Sequence, residues 1–544
     1  MIRSLRRGSL LAVSALTVTA LVAPLGGAAH ADPDPAPAQD GATWIADEMP
    51  DGLMVGAFGP DYGLSIDAAL GLDATGGQDL KVEQISDEVE AVIDSYISYE
   101  FTDNGTVFTG EIAGATAKSL LLAQSTDAVP EAFGTVDLVE RLESLTTDAG
   151  PTRGRIADDA RIDGEPDPSG DFANVLGQGF AARGLAVAGS PEADPALNFL
   201  LKQQCGSGYF RLLFTADKDA PRQRCVDGAE GSEPDTDATA LAMINLQALQ
   251  SSDPDVIDAL ADAQAWLLSV QRSDGSFGGG TSTEGPNTNS TGLAAWALSQ
   301  AGSVEAAEDA ARWVRSKQIR EVGTCAVLAD EDGAIAYDSA NLAAGLDEGI
   351  TVNARDQWRR ASTQAVVGLE STPEQTSSLT ADATTDFVRA GSTQPISLSG
   401  GMPGSVCATR AASTVAGSLN VNGNGTVRVS IPGGTRERTF VVADTGGGSA
   451  EITFEALGVK RIPFTLDPRV ARGGRQVVAV SGLAPHESVQ VFLRGVRVDR
   501  GAANGNGRFT ARFSVGQKLG KATVKVTGEF ADTRKNTDTF TVTR

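Results

Sequence analysis

Hydrophobic and polar positions recur with a period of about fifty residues through the first two thirds of the chain. In each copy an aromatic and an aliphatic residue are followed by glutamine or methionine and then by a glycine-rich turn. A pattern of this length predicts one helical hairpin per copy, about six in all, because a single hairpin cannot bury its apolar stripe alone. The clearest copy is Trp266, Leu267, Gln271, Gly275 and Phe277.

The pattern changes after Glu370, where short alternating segments replace the helical spacing. Val427 to Ile431 and Ile452 to Phe454 alternate in this way, and glycine clusters separate such segments. Alternation bounded by turn residues predicts strands, and residues 381–544 are therefore interpreted as two β-sandwich modules. The final module resembles bacterial immunoglobulin-like domains in its Gly482 to Pro485 turn and its Asn504 to Gly507 hairpin.

The string aromatic-Leu-x-x-x-Gln-x-x-x-Gly-x-aromatic resembles the QW repeat of the terpenoid cyclase and protein prenyltransferase superfamily. The resemblance covers residues 42–370 and implies an α/α toroid of paired helices. The expected fold class is thus multidomain: an all-α toroid of about six helical hairpins followed by two all-β immunoglobulin-like sandwich modules. A resemblance of this kind supports fold better than activity.

The amino terminus is typical of a signal peptide, because Arg3, Arg6 and Arg7 precede an apolar run from Leu10 to Val22. Cleavage is expected near Ala31, which predicts a secreted protein. General secretion is favoured over the twin-arginine route that Arg6 and Arg7 raise. The predicted divisions are a signal peptide 1–31, a linker 32–41, the toroid 42–370, a linker 371–380, a β-sandwich 381–459 and an immunoglobulin-like sandwich 460–544.

Charge is unevenly distributed along the 544 residues, whose net charge is −26. Residues 460–544 contain 16 basic and 6 acidic residues, a net charge of +10, so the preceding 459 residues sum to −36. The basic segment predicts contact with an anionic cell-wall polymer, with an ordinary solvated surface as the alternative. The acidic body argues against nucleic acid. No membrane anchor is predicted in the mature chain, since no later apolar run reaches about eighteen residues.

Four cysteines in an exported chain predict two disulfides. Cys205 and Cys225 close a short loop and are the preferred pair, which leaves Cys325 with Cys407. The sequence alone allows three connectivities, and free buried thiols are the alternative.

Asp235-Thr236-Asp237-Ala238-Thr239-Ala240 resembles the Asp-x-Asp-Asp-Thr-Ala motif of class II terpene cyclases. The resemblance implies that Asp237 would be the general acid, with Asp235 beside it, but Ala238 stands where the motif has its last carboxylate. The same string recurs from Asn287, with Asn289 in place of Asp237. Asparagine cannot be a general acid, whereas both residue types cap helices, so capping is the favoured interpretation and no catalytic residue is assigned.

No metal or cofactor is expected. The two histidines, His30 and His486, lie outside the predicted toroid, which excludes a zinc site with a histidine ligand there. Calcium is not expected either, because the acidic turns at Asp217 and Asp330 lack the distal glutamate of an EF-hand. For ligand binding the candidates are three aromatic residues that could stack on a ligand at the mouth of the toroid: Trp296, Tyr337 and Trp358.

These observations predict an exported, non-catalytic toroid protein that binds a small apolar ligand or the cell envelope. One alternative is a class II terpene cyclase-like enzyme using Asp237, although aromatic residues are 5% of the chain and carbocation chemistry uses many. A second alternative is a cobalamin carrier, because the order of a toroid and then a β domain resembles the intrinsic factor family.

Overall fold

The computed structural model describes the chain from Pro33 onward, apart from a few short gaps. The predicted signal peptide, residues 1–31, lies outside the described residues. The described residues are 33–56, 59–320, 325, 328, 330–374, 376–411 and 413–544.

Helices occupy the described chain as far as residue 371. A short 3₁₀ turn, Val367–Ser371, follows the last of them. The α-helices are α1 (Ala36–Asp47), α2 (Tyr62–Thr75), α3 (Asp79–Glu90), α4 (Ile93–Ile97), α5 (Ala113–Gln124), α6 (Leu138–Ser144), α7 (Val175–Ala188), α8 (Ala193–Leu201), α9 (Thr236–Ala248), α10 (Pro254–Val270), α11 (Thr288–Gln300), α12 (Val304–Arg315), α13 (Ser339–Glu348) and α14 (Val352–Ala365).

Six of these helices form a closed ring in which each packs against the next: α2, α5, α7, α9, α11 and α14, which returns to α2. Six others, α1, α3, α6, α8, α10 and α12, pack on the outside of the ring. Ring helices such as α9 bury residues on nearly every side, as a helix enclosed by others must. Outer helices such as α12 keep charged residues along one side. Residues 36–41 of the predicted linker are the first part of α1.

Further contacts join the start of the described chain to its later helices. The backbone N–H of Asp34 donates to the carbonyl of Thr372 at 2.7 Å. Arg355 on α14 forms an ion pair with Glu48, which caps the end of α1, at 2.6 Å. The outer helix α1 is therefore tied to the last ring helix, which lies about three hundred residues later in the chain.

Strands are also present within the helical part. Two tight turns organise them: Asn104-Gly105 and Asp163-Gly164 adopt positive φ at both positions, as type I′ hairpins require. The resulting four strands form one antiparallel sheet in the order β3-β4-β5-β6, and β1 pairs only with β2. The strands are β1 (Val55–Gly56), β2 (Gly59–Pro60), β3 (Ser98–Asp103), β4 (Thr106–Glu111), β5 (Asp159–Ile162) and β6 (Glu165–Pro166).

The next part of the chain forms a single eight-stranded sheet in the order β7-β9-β12-β11-β10-β13-β14-β8. Its pairs are antiparallel except for β8, which runs parallel to β14. The strands are β7 (Thr380–Asp382), β8 (Phe387–Arg389), β9 (Thr393–Ser399), β10 (Gly404–Arg410), β11 (Ser413–Leu419), β12 (Gly425–Ser430), β13 (Arg436–Asp444) and β14 (Ser449–Leu457).

The last strands form a three-stranded sheet, β15-β17-β20, and a five-stranded sheet, β16-β22-β21-β18-β19, around a separate hydrophobic core. The strands are β15 (Phe464–Leu466), β16 (Arg469–Ala471), β17 (Arg475–Val480), β18 (Ser488–Leu493), β19 (Val496–Ala502), β20 (Phe509–Ser514), β21 (Gly520–Thr527) and β22 (Lys535–Thr543).

The predicted fold class, an all-α toroid followed by two immunoglobulin-like sandwiches, is wrong. The structure is mixed, with 35% helix and 27% strand, and strands occur inside the helical part. The eight-stranded and five-stranded sheets curl into half-barrels instead of stacking as sandwiches. Continuous pairing across many twisted strands explains the curling, because the twist accumulates from strand to strand.

None of the helices within the described ranges has both the length and the apolar composition needed to cross a bilayer. Both disulfides that we expected from the sequence are present. Cys205 pairs with Cys225, with Cα atoms 4.7 Å apart. Cys325 pairs with Cys407 on β10, with Cα atoms 5.7 Å apart, and so ties the helical part to the eight-stranded sheet.

Candidate functional site

A cavity of about 420 Å³ lies at the centre of the helical ring. Every ring helix contributes to its wall, from α2 through α14. Side chains from the six helices thus face one common space, and most of them are apolar. The larger apolar side chains of the wall are Leu70, Ile112, Leu121, Phe172, Leu176, Phe180, Leu241, Ile244, Leu293, Trp296 and Val367.

One ion pair lies in this wall. The Lys118 ammonium on α5 is 2.7 Å from the Asp67 carboxylate on α2, and it also lies 5.9 Å from the centre of the Phe180 ring. Burial alone would lower the pKa of Lys118, but the Asp67 carboxylate and the nearby Tyr96 outweigh burial and raise it. The lysine therefore stays charged and is satisfied by its partner, which leaves this side of the cavity electrically neutral.

A second cation, Arg183 on α7, also lines the cavity, but it has fewer polar partners than Lys118. Burial lowers the pKa of Arg183, and only the Asp73 carboxylate opposes this change. Among the described residues, none forms an ion pair with the Arg183 guanidinium or accepts a hydrogen bond from it, and Asp73 acts on it only at longer range. Arg183 can accordingly offer several N–H donors to a polar or anionic group of a bound molecule.

A second cavity of about 300 Å³ adjoins the first and shares Asp73, Arg183 and Trp296 with it. Its wall lies at the ends of the ring helices and includes Gln300, the last residue of α11, and Glu370 of the 3₁₀ turn. Burial raises the pKa of the Glu370 carboxyl. The two spaces together form an apolar chamber with a polar end.

Two further polar side chains of the wall, Asn245 on α9 and Thr363 on α14, have buried oxygens for which the described residues supply no hydrogen-bond partner. Buried polar atoms in folded proteins nearly always have partners, whether protein, water or ligand. The two oxygens are therefore unpartnered polar atoms just behind the surface of the cavity wall.

The three aromatic residues proposed for ligand stacking lie in different places. Trp296 on α11 lines both cavities. Tyr337 is partly exposed and lies near Asp237, apart from the wall of the central cavity. Trp358 on α14 is 1% exposed and packs in the hydrophobic core. Of the three, Trp296 is thus placed to touch a molecule in the ring.

Asp235 is the N-cap of α9, where its carboxylate accepts from the backbone N–H of Ala238 at 2.9 Å. Asn287 caps α11 in the same way, accepting from the N–H of Ser290 at 2.8 Å. Both residues have the capping geometry that the repeated string predicts.

Asp237, the candidate acid, lies one helical turn before the cavity-lining Leu241 on the same side of α9. Burial raises the pKa of Asp237 to about 6, and the neighbouring Ser290 hydroxyl works against this increase. Its Oδ1 atom is buried, and no described residue donates a hydrogen bond to it. The structure thus places a protonatable carboxyl close to the cavity but outside its lining.

Metal binding has no evident site in the residues that the structure describes, since nowhere do three or more His, Cys, Asp or Glu side chains converge on one point. The expectation that the protein uses no cofactor stays a prediction.

The charged residues of the cavity were missed in the sequence. Lys118 and Arg183 are each the one charged residue of an otherwise apolar or small-residue ring helix, α5 and α7. A lone cation in such a helix must either find a partner or face a cavity, because an isolated buried charge is costly. That signal could have identified both residues.

Comparison with known proteins gives no family. No family model matches the chain, and no curated protein matches it. Among solved structures, a protein from Actinoplanes aligns with a TM-score of 0.42 and 18% identity, over 62% of this chain and 100% of that one. The type II terpene cyclase MstE from Scytonema aligns with a TM-score of 0.40 and 14% identity, over 62% of this chain and 98% of that one.

A third solved structure, the adhesin InvE from Yersinia pseudotuberculosis, aligns with a TM-score of 0.17 and 14% identity, over 31% of this chain and 58% of that one. With TM-scores below 0.5, these likenesses assign the chain neither a fold family nor a function.

Proposed function

We propose that this protein binds a small, mostly apolar molecule in the cavity of its helical ring and does not transform it. The observation that carries the proposal is the cavity of about 420 Å³, to which all ring helices contribute side chains, most of them apolar. Ligand pockets in proteins usually measure about 300–1,000 Å³ and combine an apolar wall with a few polar groups. The size and the composition of this cavity agree with that description.

The polar groups of the wall suggest how the ligand is oriented. Arg183, Asn245 and Thr363 retain hydrogen-bonding capacity that no described residue uses, whereas Lys118 is already paired with Asp67. A ligand with an apolar body and one polar or anionic group would bury the body against Trp296 and direct the polar group to Arg183.

The test compares two tryptophan substitutions on neighbouring ring helices. Ala115→Trp on α5 places a large ring in the cavity, whereas Val187→Trp on α7 adds the same ring at a residue that is 62% exposed. With the apolar fluorescent anion 1-anilinonaphthalene-8-sulfonate as the probe, we expect Ala115→Trp to weaken binding by about tenfold or more, as a displaced apolar contact area predicts. Val187→Trp should bind the probe like the unchanged protein.

Equal probe binding by both variants would place the probe outside the ring and contradict the proposal. Small molecules extracted from the purified protein and identified by mass spectrometry would name the natural ligand. A corrinoid in that extract would support the cobalamin-carrier alternative instead of a smaller apolar ligand.

A second candidate function, acid-initiated cyclisation of an isoprenoid, is favoured by one observation, the buried Asp237 carboxyl with its pKa raised to about 6. A carboxyl that holds its proton near neutral pH can act as a general acid. Incubation with polyprenyl epoxides and alkenes tests this candidate. Cyclised products that disappear in Asp237→Asn would replace the binding proposal with catalysis, and their absence in the unchanged protein would exclude this candidate.

The two disulfides are typical of proteins in oxidising compartments. We infer on this basis that the protein acts outside the cytosol, and removal of the segment up to Ala31 remains to be tested by sequencing the amino terminus of the mature protein.

A further inference from the structure

The outer side of the five-stranded sheet in residues 460–544 carries a group of cations, which we call the basic face. Strand register defines it, because directly paired residues project from the same side of a sheet. Its six cations are exposed: Arg469, Arg497, Arg500, Lys521, Lys525 and Lys535.

Two rows of paired residues show how the cations are arranged. In one row Arg469 on β16 pairs with Thr541 on β22, which pairs with Lys521 on β21. In the other row Lys525 on β21 pairs with Phe492 on β18, which pairs with Arg497 on β19. The cations therefore span the sheet from one edge strand to the other.

Hydroxyl groups fill the space between these cations. Thr523 and Thr539 form a pair between the two rows, and Thr537 pairs with Lys525. Neighbouring strands are about 4.8 Å apart and residues rise about 3.3 Å along a strand, so adjacent cations are separated by about 10–13 Å. Hydroxyl donors and cations at these spacings can contact several groups of an extended polyanion at once.

The carboxylates of residues 460–544 either are paired with arginines or lie outside or at the margin of the basic face. In residues 460–544, all of which the structure describes, the buried Glu487 is paired with Arg534 at 2.6 Å. Asp532 is paired with Arg389 of the eight-stranded sheet at 2.8 Å. Glu529 accepts a hydrogen bond from Ser488 at the margin of the face. Asp499 and Asp538 pair with the buried Val491 and Val524, which places them on the opposite side of the sheet by register, and Asp467 precedes β16. The excess positive charge of this region is thus concentrated at the surface.

We propose that the basic face binds an extended phosphodiester polymer of the cell envelope. Repeated phosphates suit the face because each can receive charge-assisted hydrogen bonds from a lysine or arginine and a further bond from a threonine hydroxyl. Single-stranded nucleic acid fits less well, because proteins hold its bases by stacking on exposed aromatic rings. The one aromatic ring of the face, Phe492, is only partly exposed and lies 5.7 Å below the Lys525 ammonium.

The experiment uses the full chain from Asp32 and immobilised poly(glycerol phosphate) as the probe. The test variant combines Lys521→Gln and Lys525→Gln on the basic face. The control variant combines Arg475→Gln and Arg512→Gln, two exposed cations of the three-stranded sheet, and removes the same charge from another surface. Unchanged melting temperatures would show that both variants are folded.

We expect the basic-face variant to lose about tenfold in affinity and the control variant less than about twofold, since close contacts weigh more than net charge. Affinity should also fall by about tenfold between 50 mM and 500 mM salt, as screened charges require. Equal losses in the two variants, or no binding at low salt, would overturn the proposal. Tighter binding of single-stranded DNA than of poly(glycerol phosphate) in the same assay would assign the face to nucleic acid instead.

Discussion

The starts of α9 and α11 are two versions of one structure, and they differ most in the residue two positions beyond the cap. Both helices begin with a short polar cap, Asp235 in one and Asn287 in the other. One turn later Thr239 and Thr291 each donate a hydroxyl hydrogen bond to the carbonyl of that cap, at 2.7 Å and 2.6 Å. The same backbone geometry therefore forms whether or not the cap carries a charge.

The difference lies two residues beyond the cap. The Oδ1 atoms of Asn289 and Asp237 are both buried without a donor among the described residues. Asn289 also donates its amide N–H to the Gln364 side chain of α14 at 2.5 Å, a bond that the Asp237 carboxylate cannot donate. The carboxylate at Asp237 is not needed for capping, and its burial makes the charged form costly. The comparison shows that a repeat can conserve its local structure while one copy retains a group with a shifted pKa.

The largest change in the free energy of unfolding is expected when each N-cap residue is replaced by the residue type of the other. The two caps have different hydrogen-bond surroundings. The Asn287 amide donates to the carbonyls of Thr283 and Gly285 at 3.3 Å and 3.2 Å, and the side chain is 1% exposed. Asn287→Asp would set a buried charge against two carbonyl oxygens and should lower the free energy of unfolding by about 3 kcal/mol at pH 7. Asp235→Asn keeps its one hydrogen bond and should change that energy by less than about 0.5 kcal/mol. Urea denaturation measures both, and equal costs would show that the two caps are equivalent.

The next effect depends on pH and concerns Asp237. Its pKa is about 6 in the fold against the usual 3.8, so between these values the folded state keeps a proton that the unfolded chain releases. The contribution of Asp237 to stability should therefore be greatest below pH 4 and fall by about 2–3 kcal/mol as the pH rises to about 6.

Asp237→Asn removes this titration and should be more stable than the unchanged protein by about that amount above pH 6, with no difference below pH 4. Urea unfolding at pH 4, 5, 6 and 7 gives the comparison, and Asn289→Ala is a control that should not alter the pH dependence. Parallel pH curves for Asp237→Asn and the unchanged protein would show that Asp237 titrates normally.

A smaller and equal effect is expected at the two threonines. Thr239 accepts from the N–H of Phe210 at 2.9 Å, and Thr291 accepts from the N–H of Phe277 at 3.0 Å. Thr→Val at either site leaves a buried N–H without a partner and should cost about 2 kcal/mol. Costs that differ by more than about 1 kcal/mol would mean that the two repeats are less alike than their hydrogen bonds suggest.

The smallest effect is expected at Ser290, whose equivalent in the other copy is Ala238. Ser290→Ala should change the free energy of unfolding by less than about 0.5 kcal/mol, because the hydroxyl has no hydrogen-bond partner of good geometry among the described residues. It should raise the pKa of Asp237 further, since that hydroxyl lowers it. NMR titration of the Asp237 carboxyl measures the change, and a lower pKa in the variant would contradict this assignment.

Capping could be predicted from the sequence because it is local. The strings that begin at Asp235 and Asn287 each contain the cap and its threonine, and α9 and α11 start one residue after those caps. Strand partners could not be predicted in this way. The short strand β8 pairs with β14, about sixty residues later, and alternation along a strand does not specify its neighbour. For that reason the sheets were expected to stack as sandwiches when they in fact curl.

Two dipeptides in the sequence indicate the hairpins of the sheet inside the helical part. Asn104-Gly105 and Asp163-Gly164 are the dipeptides most typical of two-residue hairpins, but the helical repeat around them dominated the interpretation. The cavity was less predictable still. Trp296 and Trp358 are the same residue type on neighbouring ring helices, and one lines the cavity while the other is core, because orientation in a closed ring depends on all of its members.

The contact between α1 and α14 also limits how early in synthesis the helical part can finish folding. A ribosome releases α1 first, yet α1 meets its partners on α14 only after 307 more residues have been made, as the Glu48 to Arg355 contact shows. Until then the apolar sides of the early helices stay exposed in the growing chain, a state in which aggregation competes with folding. A circularly permuted gene that starts after α1 and places α1 behind α14 would let those two helices emerge together.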